Sequence, residues 1–475
     1  MNNEAGVQRD SVDVLVIGGG INGAGIARDA AGRGLSVVLC EKDDLAQHTS
    51  SSSTKLIHGG LRYLEHYDFM LVRHALQERE VLLRSAPHII RPLRFLLPHH
   101  EKLRPRWLIR LGLFLYDNLG GRELLPGSRS VDLRKHTGGD ALKPEFTHAF
   151  EYSDCWVDDA RLVVLNARDA CIRGADIFTR TKCIALSRGT NLWRATLRDE
   201  RNGNTRETQA RAIVNASGPW VEQILDLDAD SDSEHAVRLV KGSHVVVKQM
   251  FAHPYPYIFQ HEDGRVIFAI PYERDYTLLG TTDIEIDSDP GRTAIDEEEI
   301  AYICNAVNEY FRTPVTPRDV VWSYSGVRPL TDDKSENASK VTRDYTLQLD
   351  DDGPPIVSVF GGKITAYRKL SEQVVDMLKR PLHLAAPAWT AGATLPGGDI
   401  ENADFDTFLG RCRKQYPWLD DVVLQGYARK YGTEIHTLLA GRGAVSELGE
   451  NFGGGLFECE LEYLIRHEWT ETAED

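Results

Sequence analysis

The chain has 475 residues, of which 42% are hydrophobic and 27% charged, an ordinary globular composition long enough for two or three domains. Its net charge of −16 disfavours a nucleic-acid partner, because binding a phosphate backbone needs a clustered positive field. Seven cysteines, never spaced C-x-x-C, argue against a metal site or a disulfide framework and favour a reducing compartment. No apolar run approaches the length of a membrane span, and the N-terminus lacks the apolar region of a signal peptide.

Residues 12–41 predict a strand, a helix and a second strand around a glycine-rich turn. Gly18, Gly20 and Gly23 have the G-x-G-x-x-G spacing. In this motif the first glycine permits a tight turn, the second lets the backbone approach a pyrophosphate, and the third lets the helix press on the strand. Glu41 closes the second strand, where a carboxylate can accept hydrogen bonds from the hydroxyls of an adenosine ribose. The pattern therefore predicts a dinucleotide site, for FAD or NAD, with an unphosphorylated ribose.

The next segment is rich in hydroxyl groups, and two glycines follow it. The run that includes Thr49, Ser50 and Ser51 is either a solvated linker or a loop of short donors across the same pyrophosphate. Its start eight positions after Glu41 favours the second interpretation. Residues 55–63 then combine basic and aromatic side chains with a glycine pair, which allows the backbone to approach a flat ligand closely.

Together these segments resemble the FAD-dependent glycerol-3-phosphate dehydrogenases, respiratory, quinone-linked enzymes of the D-amino-acid-oxidase-like flavoprotein superfamily. The resemblance recurs in order at residues 150–162, 214–220, 241–244, 280–283, 322–330 and 359–365. It implies an α/β fold with an FAD-binding Rossmann-like domain, an antiparallel-sheet substrate domain and a small C-terminal helical domain. The predicted divisions are FAD-binding segments at 11–90, 151–235 and 331–384, a basic amphipathic insertion at 91–150, a substrate domain at 236–330 and a helical domain at 385–475.

The insertion begins with the most basic stretch of an otherwise acidic chain. Its basic residues oppose only Glu101 and are Arg91, Arg94, Lys102, Arg104, Arg106 and Arg110. An apolar stripe at helical spacing follows, formed by Trp107, Leu108, Leu111, Phe114 and Leu115. Such a helix could lie in a lipid headgroup layer or pack in the core with solvated basic ends, and the membrane association of the resembled family favours lipid contact.

The middle of the chain predicts a β-meander and then the strands of the substrate domain. The predicted helix 157–174 precedes meander strands at 177–184, 192–197 and 209–214. After an acidic boundary segment at 221–236 come strands at 237–248, 257–270 and 276–282. By resemblance, the backbone near Lys182 and Cys183 would pair with the adenine edge, and Ser217 and Gly218 would pass close to the dinucleotide.

The last predicted elements return the chain to the FAD-binding domain. A helix at 293–312 is followed by Arg328, which comes after a predicted turn and is held extended by the proline that follows it. A buried strand ends at residue 360, and a glycine turn opens a helix at Lys363. A lysine at a helix N-terminus would stabilise negative charge that develops on the flavin during reduction. Residues 402–470 read as a small helical domain.

Oxidation of a secondary alcohol needs a base for the hydroxyl proton and an acceptor for the carbinol hydride. Because histidine titrates near neutrality, we predict His244 as the base, with His58 as second choice. A phosphorylated substrate calls for guanidinium groups, so Arg62 and Arg328 are the candidates, and Tyr63 would add a hydroxyl. Which arginine holds the phosphate is left open.

Applied residue by residue, the resemblance implies FAD held non-covalently by Gly18, Gly20, Asn22, Gly23, Glu41, Thr49, Ser50, Ser51, Lys55, His58, Gly60, Lys182, Cys183, Ser217, Gly218, Gly362, Lys363, Ile364 and Thr365. The implied reaction oxidises sn-glycerol 3-phosphate to dihydroxyacetone phosphate and passes electrons to a quinone at the cytoplasmic face of the inner membrane. An oxygen-using glycerol-3-phosphate oxidase, an amine or amino-acid oxidase of the same superfold and a non-catalytic flavoprotein are the alternatives. The oligomeric state is open, a homodimer included.

Overall fold

The computed structural model describes residues 11–101, 103–228, 237–260, 265–331 and 345–475. Numbered along the chain, the strands are β1 Ser11–Ile17, β2 Val37–Cys40, β3 Leu56–Ile57, β4 Ile90–His99, β5 Arg129–Asp132, β6 His148–Val157, β7 Asp176–Phe178, β8 Thr181–Arg188, β9 Trp193–Asp199, β10 Thr205–Asn215, β11 Val237–Lys248, β12 Tyr257–Gln260, β13 Val266–Tyr272, β14 Tyr276–Gly280, β15 Ile284–Glu285, β16 Val320–Thr331, β17 Thr346–Asp350, β18 Ile356–Phe360, β19 Asn451–Gly453 and β20 Leu456–Phe457.

The helices are α1 Ile21–Gly32, α2 Phe69–Ser85, α3 Arg106–Leu119, α4 Asp159–Ile172, α5 Val221–Leu225, α6 Glu297–Asn308, α7 Tyr367–Met377, α8 Lys379–Leu382, α9 Phe405–Gln415, α10 Asp421–Tyr431, α11 Ile435–Leu438 and α12 Glu458–His467. Among the described residues, no helix combines the length and the apolar character that crossing a membrane would require.

The first sheet is built from three distant parts of the chain. Its strand order is β17-β18-β10-β1-β2-β7, in which β18, β10, β1, β2 and β7 run parallel and β17 is an antiparallel edge. Parallel strands are covered on both faces and therefore read as continuous apolar runs, as β1 does with Val14, Leu15 and Val16 fully buried. Helix α1 packs against α4 and α7 on one face, and the meander β8–β9 joins β10.

The turn between β1 and α1 has the geometry that its glycines predict. Gly18 has φ +111°, and a Cβ atom there would lie 2.5 Å from the Ala216 carbonyl oxygen of the neighbouring strand end. A Cβ atom on Gly23 would lie 1.9 Å from the Gly18 carbonyl oxygen, so the third glycine lets α1 press on the turn. Helix α1 therefore begins directly behind a turn that is too tightly packed for a side chain at Gly18 or Gly23.

The second sheet forms the wall opposite the first. Its order is β15-β11-β14-β13-β12-β4-β6-β3, with β16 paired to β11 and β5 to β6. The predicted insertion 91–150 is not a separate unit, because its strands β4, β5 and β6 belong to this sheet and β4 pairs with β12. The long antiparallel pair β11–β16 brings residues 237–247 beside residues 320–331.

The C-terminal helices α9 to α12 enclose a core of their own beneath α4. Arg168 of α4 donates a hydrogen bond to the Tyr463 hydroxyl at 2.6 Å, and Arg161 of α4 forms an ion pair with Glu468. Both arginines are largely buried, so the contact between the two units is polar and enclosed.

Several predicted boundaries differ from the structure. Helix α7 begins at Tyr367, so Lys363 lies in the preceding turn and not at a helix N-terminus. Arg328 lies within β16 and does not follow a turn, because its neighbours pair with β11 throughout. Lys102 of the basic stretch and residues 229–236, the second half of the acidic segment 221–236, lie outside the described residues.

Candidate active site

Two adjoining cavities lie between the sheets. The first has a volume of about 630 Å³ and is lined, among others, by Gly18, Gly20, Asn22, Glu41, Thr49, Ser50, Lys182, Cys183, Ser217, Gly218 and Gly362. These are predicted FAD residues from all three chain segments. The residues present fit the adenosine diphosphate half of FAD, because Gly20 leaves open the space at the start of α1, where a Cβ atom would lie 3.1 Å from the Ser50 hydroxyl.

Glu41 lies at the end of this cavity and closes the turn. Its carboxylate accepts hydrogen bonds from the Gly19 amide at 2.6 Å and from the Asp43 amide at 2.9 Å. Burial raises the pKa of the carboxyl group, and the two amides lower it. A carboxylate accepts more than two hydrogen bonds, so it can also take the ribose hydroxyls as predicted.

A cationic side chain beside this cavity was not predicted from the sequence. The Lys42 ammonium lies 4.3 Å from the centre of the Trp220 ring, and both residues line the cavity. Lys42 directly follows Glu41, the predicted ribose-binding acid, a position in which a positive charge beside a pyrophosphate could have been suspected. Trp220 packs against both Lys42 and His48.

The second cavity has a volume of about 530 Å³ and shares Ile21, Thr49, Ser50, Pro329 and Gly362 with the first. It is also lined by the predicted residues His58, Gly60, Arg62, Tyr63, Arg328, Lys363, Ile364 and Thr365. The structure thus brings the 58–63 turn, strand β16 and the 362–365 turn around one space. This is where a flavin ring and a small substrate would meet.

His58 reaches this second cavity and is held by its own turn. The Gly60 amide donates to His58 Nδ1 at 3.1 Å, and the His58 amide donates to the Thr365 hydroxyl at 3.3 Å. Because Nδ1 accepts a hydrogen bond, the neutral ring carries its proton on Nε2. The ring therefore offers a donor to a ligand.

His244 does not reach the cavity directly, contrary to prediction. Its side chain is 1% exposed, is stacked on Tyr324 and is absent from the cavity lining. Its Nε2 lies 3.0 Å from the Thr54 hydroxyl, which does line the cavity. Burial, followed by the charges of Arg328 and Lys55, lowers the pKa of His244 to about 3. The imidazole is therefore neutral and can contact a ligand only through Thr54.

The cations of the second cavity are paired to different extents. Arg328 forms an ion pair with Asp283, another cavity residue, and donates to the Thr281 hydroxyl at 3.3 Å. Arg62 has no hydrogen bond or ion pair within the part of the chain that the structure describes. The Lys363 ammonium is buried over the Tyr63 ring at 4.0 Å, without a hydrogen-bond partner among the described residues.

Three predicted FAD residues lie outside both cavity linings. The Ser51 hydroxyl donates to the His48 carbonyl at 3.2 Å, and the Lys55 ammonium donates to Asp159 at 2.5 Å. Gly23 serves the packing of α1 rather than contact with a ligand. The other hydroxyl residues of the loop, Thr49, Ser50, Ser52, Ser53 and Thr54, all line at least one of the two cavities.

The profile of the FAD dependent oxidoreductase family matches residues 13–368, three quarters of the chain. The chain belongs to the FAD dependent oxidoreductase family. Its cofactor is FAD, and its fold is the mixed α/β fold of that family. The two cavities described above contain most of the residues predicted to bind this cofactor.

Full-length relatives place this FAD dependent oxidoreductase in the group that contains the glycerol-3-phosphate dehydrogenases. The aerobic glycerol-3-phosphate dehydrogenase of Escherichia coli is 50% identical over 98% of this chain and 93% of its own length. The D-erythritol 1-phosphate dehydrogenase of Brucella abortus is 52% identical over 98% of this chain and 93% of its own. A glycerol-3-phosphate dehydrogenase from Bacillus halodurans, solved with FAD, has a TM-score of 0.80 and 29% identity, covering 100% of this chain and 86% of that one.

Proposed function

We propose that this FAD dependent oxidoreductase oxidises sn-glycerol 3-phosphate at its secondary hydroxyl to dihydroxyacetone phosphate. The observation that carries the proposal is the second cavity, where an arginine without a partner among the described residues lies near a histidine donor and a lysine. The near full-length relationship to the Escherichia coli glycerol-3-phosphate dehydrogenase supports the same substrate. When bound, FAD supplies a hydride acceptor for the carbinol carbon.

Arg62 is the side chain that we propose for the phosphate. A phosphate needs positive charge that is not already neutralised, and Arg62 has no carboxylate partner among the described residues. Arg328 already shares its charge with Asp283, so it suits the uncharged glycerol hydroxyls better than a dianion. Tyr63 neighbours Arg62 on the same turn and adds a hydroxyl group.

For the proton, we propose that Thr54 relays it from the substrate hydroxyl to His244, which carries it only transiently because burial and the neighbouring cations lower the pKa of the imidazole. The Thr54 hydroxyl lines the cavity, and His244 Nε2 lies 3.0 Å behind it, so a proton leaving the substrate could replace the one that Thr54 donates to the imidazole. His58 Nε2 would donate to the carbinol oxygen and orient it. The buried Lys363 ammonium would hold the flavin ring.

A second substrate, D-erythritol 1-phosphate, is supported by the Brucella abortus relative, which has comparable identity. The two substrates share a phosphate on a primary carbon and a neighbouring secondary alcohol, so the same arginine and histidine would recognise both. They differ by one hydroxymethylene group at the end away from the phosphate.

Anaerobic titration of the yellow holoenzyme tests these assignments. We expect glycerol 3-phosphate to bleach the flavin absorbance, with D-erythritol 1-phosphate at least tenfold less effective in kcat/KM. The reverse order would assign the chain to the four-carbon substrate. Bleaching by an amino acid, or by no phosphorylated polyol, would contradict the proposal.

We propose further that the electrons pass to a membrane quinone while the protein rests on the cytoplasmic face of the inner membrane. Helix α3 supports this location, because its apolar stripe lies outward: Trp107 is 68% exposed, Phe114 56% and Leu111 48%. The alternative of a core helix is not supported, since only Leu113 and Tyr116 of α3 are buried. Arg104 and Arg106 lie at the start of the helix, where they could meet anionic headgroups.

A further inference from the structure

A chain of buried polar groups lies behind the turn that carries His58. The Gly59 amide donates to the Tyr116 hydroxyl of α3 at 2.8 Å and, at the longer distance of 3.4 Å, to Asp154 Oδ1 of β6; the Tyr116 hydroxyl donates to the same Oδ1 at 2.7 Å. Arg79 of α2 donates to the same carboxylate oxygen at 2.8 Å and to the Ser153 carbonyl at 2.7 Å. All of these side chains are buried, so each hydrogen bond is shielded from water.

The phenol of Tyr116 stays protonated in this position. Burial and the Asp154 carboxylate raise its pKa well above its usual value, while Arg79 acts in the opposite direction. A protonated hydroxyl can donate one hydrogen bond and accept another. Tyr116 therefore donates to Asp154 and uses a lone pair to accept the Gly59 N–H.

The backbone at Gly59 and Gly60 has little room to adopt a different conformation. A Cβ atom on Gly59 would lie 2.5 Å from a Leu76 methyl carbon and 2.7 Å from the Tyr116 hydroxyl. Gly60 has φ +71°, and a Cβ atom there would lie 2.3 Å from the Tyr63 ring. The two glycines are therefore held between α2 and α3 on one side and Tyr63 on the other.

We propose that Tyr116 is a positioning residue for the oxidation, acting through Gly59 and Gly60 on the ring of His58. By holding the Gly59 N–H, the phenol fixes the peptide plane between His58 and Gly59, which directly precedes the plane that carries the Gly60 N–H. The Gly60 amide then meets His58 Nδ1 at 3.1 Å, and the ring presents Nε2–H to the substrate. The inference rests on the proposed function, in which His58 orients the carbinol oxygen, and it assigns a task to a residue that does not line the cavity.

Tyr116→Phe tests the inference because it removes only the hydroxyl. We expect the FAD content to stay the same and the rate constant of flavin reduction by glycerol 3-phosphate to fall about tenfold, the effect of roughly 1.4 kcal/mol in the barrier. The apparent substrate Kd should change less than twofold, because Arg62 is untouched. Hydrogen exchange, read by mass spectrometry on the peptide 57–62, should show that the Gly59 amide loses protection.

Tyr431→Phe is the matched control. Tyr431 is also buried and donates to a carboxylate, Glu460 Oε1, at 2.7 Å, but it lies in the C-terminal helical unit. It should lower the melting temperature by a similar amount without slowing flavin reduction. If Tyr116→Phe reduces FAD at the wild-type rate, or keeps the Gly59 amide protected, the inference is wrong.

Two further measurements keep the result decisive. If Tyr116→Phe does not retain FAD, Asp154→Asn replaces it, since this change weakens the anchor of the phenol and removes the ion pair with Arg79. An unchanged rate of reduction in Asp154→Asn would then contradict the inference. Wild-type protein is measured alongside: if glycerol 3-phosphate fails to bleach it and D-erythritol 1-phosphate succeeds, the substrate assignment fails, and Tyr116 is judged with the second substrate.

Discussion

Arg62 and Arg328 both line the inner cavity, but they present different amounts of positive charge to a ligand. Arg328 is paired with Asp283, whereas Arg62 has no partner among the described residues. We expect Arg62→Ala to raise the KM for glycerol 3-phosphate about 100-fold, since truncating a charged contact of this kind costs roughly 2–5 kcal/mol. Steady-state kinetics measures this KM in the variant and in the wild type.

Arg73→Ala is the control for this prediction, because Arg73 is an exposed arginine on α2. Arg73→Ala removes the same charge as Arg62→Ala and should leave the KM for glycerol 3-phosphate within twofold of the wild-type value. If the two variants had the same KM, Arg62 would not hold the phosphate, and Arg328 would become the remaining candidate.

His88 makes stability depend on pH in a definite direction. It is 1% exposed, and neither ring nitrogen has a hydrogen-bond partner among the described residues. Burial, with smaller effects of Arg161 and Arg429, lowers its pKa from 6.5 to about 3. Between these values the unfolded chain binds a proton that the folded protein does not, so stability is full above pH 6.5 and is lost as the pH falls.

His88→Leu should weaken this pH dependence. The residue contributes a loss of about 2 kcal/mol between pH 7 and pH 5, which follows from the displaced pKa by linkage. We expect the drop in melting temperature over that range to be smaller in the variant than in wild type. His74→Leu, at an exposed site on α2, should show the wild-type drop. Equal drops in all three proteins would refute a neutral, buried His88.

At the scale of single elements, α3 is unusual because large apolar side chains on it are exposed to solvent. Its aromatic residues Trp107 and Phe114 face outward beside a basic stretch, in a chain with net charge −16. A protein so acidic is repelled by anionic lipid unless a local basic and apolar surface overcomes the repulsion. We expect the double variant Trp107→Ser and Phe114→Ser to reduce at least tenfold the fraction of protein that floats with phosphatidylethanolamine–phosphatidylglycerol vesicles.

Ile172→Ser serves as the control, because Ile172 is 69% exposed at the end of α4. It removes a similar apolar side chain without touching α3 and should float as wild type does. Flotation that is equal in all three proteins would mean that α3 does not bind lipid.

Local sequence patterns predicted the elements whose partners are close along the chain. Strand β1, the glycine turn and α1 could be predicted because the φ value of Gly18 and the apolar run are local properties. The membership of β4 in the second sheet could not, since it depends on pairing with β12 across the chain. In the site, Arg62 was predicted as a guanidinium for a phosphate and Lys363 as a cation after a glycine turn, and both line the second cavity. The ion pair between Arg328 and Asp283 and the position of His244 behind Thr54 could not be predicted. Both depend on tertiary packing, which a short sequence pattern does not contain.

At the scale of the whole molecule, FAD joins segments that are far apart in sequence. The first cavity is lined by the β1–α1 turn, by residues 216–220 and by residues 361–362. A ligand that binds only the folded protein stabilises it, by about 2.7 kcal/mol when its concentration is 100 times the Kd. We expect FAD added to apoprotein to slow hydrogen exchange in all three segments together. Exchange in α10 should stay unchanged, and protection limited to the β1–α1 turn would contradict a shared site.

The position of β10 between β1 and β18 has a consequence for biosynthesis. β10 pairs in parallel with β1, some two hundred residues before it, and with β18, which follows it at residue 356. During translation the nascent chain therefore carries an apolar strand edge that has no neighbour until β18 leaves the ribosome. The first cavity is therefore complete only after Gly361 and Gly362 have been synthesised, and until then the half-built sheet exposes backbone groups that could pair with another chain.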